Sequence, residues 1–137
     1  MGLDNGWYVK SSKRKLTRAD LPIGIRYPCL KDYDEEGIEV AYARKCWGLR
    51  TDLITSIAWD EIKNDYLYII KNPDKLLDVM DVIASWMNEE LWESEGNSIW
   101  EYKDIKDTLL DWIINFAFLQ EYMRQNPDVY LEFYDSY

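Results

Sequence analysis

The sequence predicts an α+β fold, mainly helical, in which about four helices pack on a small two- or three-stranded antiparallel sheet drawn from the termini. Three observations lead there. Apolar residues recur at helical spacing through two long segments, 76–91 and 105–123. Residues near both ends alternate as strands do. Asn-Pro pairs at Asn72-Pro73 and Asn126-Pro127 punctuate the helical segments. With 137 residues and no Gly/Ser-rich linker or internal repeat, the chain reads as a single domain over 1–137.

Taken in order, Asp4-Asn5-Gly6 is a turn signal, and Trp7-Tyr8-Val9 a short strand followed by the basic loop 10–15. Residues 16–37 hold Pro22, Gly24, Pro28 and Gly37, and predict irregular chain with a short extended piece at 23–27. Ile38, Val40 and Tyr42 alternate, but Val40, Ala43, Trp47, Ile54 and Ile57 sit at helical spacing over a longer run, so a helix is predicted over 39–57. Asp60 caps a short helix carrying Ile62, Tyr66, Ile69 and Ile70 on one face. Asn72-Pro73 starts a helix with the stripe Leu76, Leu77, Met80, Ile83, Ala84, Met87 and Leu91, ending near Glu93. The next helix, 103–125, carries the stripe Ile105, Leu109, Trp112, Ile113, Phe116, Ala117, Gln120 and Met123, with one polar interruption. In the tail, Val129, Leu131 and Phe133 face the core and Tyr130, Glu132 and Tyr134 face outward, as in a strand pairing with the first; a short helix is the competitor. Trp86, Trp92 and Trp100 are not all placed in one core by this pattern, which leaves homodimerisation open.

The formal charge is −10, and it is unevenly spread. Residues 1–50 carry ten bases and seven acids, whereas 51–137 carry six bases and nineteen acids. Such a split favours steering of a partner, and it disfavours direct nucleic-acid binding, which needs clustered Lys and Arg. The basic patch Lys13-Arg14-Lys15 with Arg18 has no interleaved aromatics and reads as a solvated loop. The chain contains no His, so the commonest general base and zinc ligand are both missing. No apolar signal core follows Met1, the run Trp112 to Leu119 is too short to span a bilayer, and the myristoylation pattern at Gly2 fails. A cytoplasmic protein with Cys29 and Cys46 as reduced thiols is therefore expected, without membrane association.

Asp32-Tyr33-Asp34-Glu35-Glu36-Gly37 resembles the opening of an EF-hand loop, but Val40 and Ala43 stand where the ninth and twelfth ligands belong, so an acidic turn is expected. Phosphate-binding, Rossmann, nucleophile-elbow and zinc motifs are missing, and no cofactor, metal or catalytic residue is assigned. Arg44-Lys45-Cys46-Trp47-Gly48-Leu49-Arg50 has the most unusual local composition. Cations beside an indole bind anionic or aromatic ligands, so Arg44, Lys45, Trp47 and Arg50, with Asp4 and Asn5 nearby, form one candidate site. Asp74, Asp78 and Asp81, and again Asp104, Asp107 and Asp111, recur at spacings of three and four and form acidic ridges. Part of Asp74 and Asp104 is accounted for as helix N-terminal acids.

Three functional readings follow. The first is a small acidic interaction protein that presents these ridges to a basic protein surface; by compositional analogy, inhibitors and adaptors of this kind occur among phage and mobile-element products. The second is a small-molecule binder using the Arg44, Trp47 and Arg50 cluster. The third is a carboxylate-based hydrolase, weakened because 26 acidic residues produce any spacing by chance.

Overall fold

The computed structural model describes residues 4–26 and 37–136. Nine regular elements follow in order: β1 (Asp4–Ser11), β2 (Ile38–Arg44), α1 (Trp47–Ser56), β3 (Glu61–Lys63), β4 (Leu67–Ile70), α2 (Leu76–Ser85), α3 (Glu89–Glu95), α4 (Tyr102–Gln125) and β5 (Val129–Ser136). Short 3₁₀ turns occupy Arg18–Asp20 and Pro73–Lys75.

The five strands form one antiparallel sheet in the order β2-β1-β5-β4-β3. This overturns the expected small sheet of two or three strands. The terminal strands do pair, Asp4 to Ser136 through Ser11 to Val129, but they form the centre of a wider sheet. Two readings concealed the rest. The helix expected over 39–57 divides into β2 and α1, with Lys45 between them at φ 54. The short helix expected after Asp60 is instead the hairpin β3–β4. Its turn places Asn64 and Asp65 at φ 55 and 64, and the Tyr66 amide donates to the Lys63 carbonyl at 3.2 Å. Two consecutive residues in the left-handed region make a turn whose twist matches the flanking strands. The Tyr66 carbonyl then accepts from the Asp135 amide at 2.8 Å, tying the hairpin to β5. The expected turn at Asp4-Asn5-Gly6 lies inside β1, where a Cβ on Gly6 would come 2.8 Å from the Tyr8 hydroxyl.

Period-two alternation divides the sheet faces. Trp7, Val9, Tyr68, Ile70, Val129, Leu131 and Phe133 join the core with the helices. Trp59 stacks on Phe133 at 5.7 Å and Trp7 meets Phe116 edge-on at 5.0 Å, so aromatic rings fill the space between sheet and α4. Apolar stripes cover the helix side: Leu76, Val79 and Ile83 from α2, and Ile105, Leu109, Trp112, Phe116, Leu119 and Met123 from α4. The packing partners set the rotation of each helix, so Val79 and Leu119 are buried while Leu77, Ala84 and Ala117, expected in the stripes, are exposed. The helix expected to continue to Glu93 breaks after Ser85. Asn88 starts α3 by accepting from the Leu91 amide at 2.9 Å. Trp86 and Trp92 are both buried and meet edge-on at 6.1 Å, whereas Trp100 is 45% exposed. The interior therefore accommodates two of the three tryptophans that composition left unplaced.

β2 is an edge strand, and its register on β1 shifts between Trp7 and Tyr8, opposite Val40 and Ala41. A bulge releases backbone groups from the ladder. The fully buried Asn115 of α4 meets them, donating to the Val40 carbonyl at 2.7 Å. The same amide accepts from Arg26 N at 2.7 Å and donates to Arg26 O at 2.5 Å. One polar side chain inside an apolar stripe thus fixes β2, α4 and the chain at Arg26 together.

Candidate functional site

Beyond the bulge, β2 and the first half of α4 enclose a cleft of about 240 Å³. Tyr42, Ala43 and Arg44 line it from β2. Asp104, Ile105, Thr108, Asp111 and Trp112 line it from α4, at the three- and four-residue spacing that puts side chains on one helical face. Arg26 and Trp100 complete the lining. The Trp100 carbonyl accepts from Trp92 Nε1 at 2.8 Å, which holds the loop between α3 and α4 against the core.

The polar groups of this cleft differ in how firmly they are held. Arg26 Nη1 donates to Asp111 Oδ1. The Tyr42 hydroxyl donates to Asp4 Oδ1 at 2.7 Å; burial first, and this carboxylate second, push its pKa up to about 12. Arg44 reaches the same Asp4 oxygen only at 3.8 Å, and its side chain is 56% exposed. Its guanidinium is therefore the loosely held cation of the site. Among the described residues no group of three or more metal-ligating side chains occurs, and no helix is long and apolar enough to cross a membrane.

The cluster composed from sequence is divided. Arg44 and Asp4 lie across from each other on β2 and β1, as do Ala43 and Asn5. Lys45 is the left-handed hinge, and Trp47 is the first residue of α1, 40% exposed. Arg44 therefore does not share a helix with Trp47, because the β2–α1 corner falls between them. Arg50 leaves the cleft altogether: its Nε and Nη2 bind Asp135 at 3.1 and 2.7 Å. Asn5 Nδ2 donates to the same carboxylate at 2.7 Å. Arg50, Asn5 and the 2% exposed Asp135 thus form an interior network beneath the sheet end. Cys46 is a free thiol near Arg44 O and Ser98 Oγ; burial pushes its pKa up, which disfavours the reactive thiolate.

The six ridge aspartates also separate. Asp74 pairs with Arg124 at 3.2 Å, and its amide is capped by Asn72. Asp111 is taken by Arg26. Asp78 and Asp81 are exposed on α2, and Asp104 and Asp107 on α4, with Asp104 at the cleft. Cys29 and the acidic turn at 32–36 lie outside the described residues.

Tyr42, Trp100, Thr108, Trp112 and Arg26 were not singled out as site residues by sequence. Trp100 carried a signal only as one of three tryptophans, with Trp86 and Trp92, that the sequence does not place together in one core. Trp112 lay within an apolar stripe that equally describes a core residue. No family model, curated protein or solved structure matches the chain.

Proposed function

We propose that this chain is a binding protein whose β2–α4 cleft takes a small aromatic anion. The observation that carries this reading is the sharing of one concave wall by the loosely held Arg44 and the half-exposed Trp100, with the buried Trp112 also in the lining. A guanidinium recognises a carboxylate by charge and paired hydrogen bonds, and an indole beside it supplies stacking area. At about 240 Å³ the cleft suits a fragment-sized ligand. About 12 heavy atoms at about 0.4 kcal/mol each correspond to a Kd of roughly 0.3 mM.

The test is a titration with aromatic carboxylates and their neutral amide counterparts, followed by amide and indole NMR shifts. Binding of the acids, shifts centred on Trp100 and Trp112, and a loss of at least tenfold in affinity for Arg44→Gln are expected. Equal binding of acids and amides, or an unchanged affinity in Arg44→Gln, would overturn the reading.

A second reading, contact with a basic protein surface, is supported by Asp78 and Asp81, which stand exposed on α2 while Asp74 and Asp111 are engaged internally. It requires that Asp78→Asn with Asp81→Asn weaken capture of a partner and reduce its salt dependence. Unchanged capture would remove it.

A further inference from the structure

Behind the cleft wall lies a second, much smaller cavity of about 10 Å³, to which Asn5 and Trp112 both contribute. Its remaining surface is mostly apolar, with Leu49, Leu53, Ile83 and Phe133 among the lining side chains. Two polar atoms of these lining residues, Asn5 Oδ1 and Trp112 Nε1, are buried without a hydrogen-bond partner among the described residues. Their chemistry is complementary. Asn5 Nδ2 is committed to the Asp135 carboxylate, so the amide cannot rotate and the free oxygen is an acceptor. The indole Nε1–H is a donor and nothing else. A group left unpaired in the interior loses its hydration with nothing in return.

We infer that this cavity is a site for one water molecule, which accepts from Trp112 Nε1–H and donates to Asn5 Oδ1. About 10 Å³ is the space one water needs, and two polar partners are the minimum that hold an internal water. The water completes a chain of hydrogen bonds from Trp112 through Asn5 to Asp135 and Arg50. It thereby fixes the indole that forms part of the cleft wall to the buried ion pair. The inference does not depend on what the cleft binds.

The experiment is NMR of the wild-type protein in water, with the Trp112 indole proton identified by its disappearance in Trp112→Phe. Where that variant fails to fold, through-bond assignment of the indole replaces it. A direct cross-peak between this proton and water, with the NOE sign of a long-lived internal molecule, is expected. A crystal structure should show one ordered water within 3.2 Å of both atoms. Absence of the cross-peak, or a direct Trp112 Nε1 to Asn5 Oδ1 hydrogen bond in the crystal, would overturn the inference.

Discussion

Replacing Asp135 by Asn tests the interior network most sharply. The Asp135 side chain is 1% exposed and that of Arg50 20%. Three donors converge on the carboxylate: Arg50 Nε, Arg50 Nη2 and Asn5 Nδ2, at 3.1, 2.7 and 2.7 Å. An amide keeps one acceptor oxygen, so at least one of these bonds is lost, an NH2 group then faces its former donor, and the guanidinium is left without its counter-charge. Hydrogen bonds to charged groups contribute about 1.5–3 kcal/mol each, and breaking one partner of a buried pair costs about 3–5 kcal/mol. A loss of about 3 kcal/mol is therefore expected. With a urea slope of about 2 kcal/mol/M, the midpoint should fall by about 1.5 M. The double-mutant cycle with Arg50→Met separates the pair from general damage. Once Arg50 is gone, Asp135→Asn removes a lone buried carboxylate and should cost little, giving a coupling of at least about 2 kcal/mol. A single-variant loss below about 1 kcal/mol, or a cycle additive within about 0.5 kcal/mol, would refute the argument.

Gly48→Ala sets helix propensity against packing. Propensity alone favours Ala by about 1 kcal/mol, but its Cβ would lie 2.4 Å from the Glu95 carbonyl oxygen. A net destabilisation of about 1–3 kcal/mol is expected in thermal unfolding, and a stabilised variant would show that α1 and α3 do not pack this closely. Asn115→Leu keeps the volume but strands the Val40 carbonyl and the Arg26 amide, so a loss of about 2–4 kcal/mol and faster hydrogen exchange at Arg26 are expected. Asp60 supplies a pH test. Burial opposes its ionisation, but hydrogen bonds from Lys75 and from the Asn72 and Lys71 amides prevail and hold its pKa below 3.8. Its stabilisation is full above pH 3.8 and is lost as pH falls through the lower folded value. The stability gap between wild type and Asp60→Asn, about 1–2 kcal/mol at pH 7, should close under acid titration.

Particular residues show why some elements were legible. Asn72-Pro73 and Asn126-Pro127 act through their own backbone, so the start of the helical segment after Asn72, the end of α4 and the start of β5 lie where the sequence puts them, although the first segment breaks after Ser85. Ile62, Tyr66, Ile69 and Ile70 satisfy a helical spacing by coincidence, and only a turn at Asn64-Asp65 makes them a hairpin. Asn-Asp is a weaker hairpin signal than Asn-Gly, so this turn is poorly marked in the sequence. Val40, Ala43 and Trp47 misled in the same way, because their helical spacing crosses a corner at Lys45. At the cleft, Arg44 was legible as an unusual cation beside aromatics, but its neighbours Trp100, Thr108 and Trp112 lie more than fifty residues away.

By itself the sequence determined what depends on neighbours a few residues apart: the amphipathic helical character of α2 and α4, the Asn72 cap, the alternation of β5, and a composition without histidine. Backbone geometry and the periodicity of burial impose these features wherever the segment sits. Tertiary structure decided which strands meet, that β1 and β5 form the centre of a five-stranded sheet, and that Arg44 faces a cleft while Arg50 turns inward to Asp135. Those outcomes depend on pairing partners as distant as Asn5 and Asp135, whose stabilisation exists only once the intervening chain has folded around them.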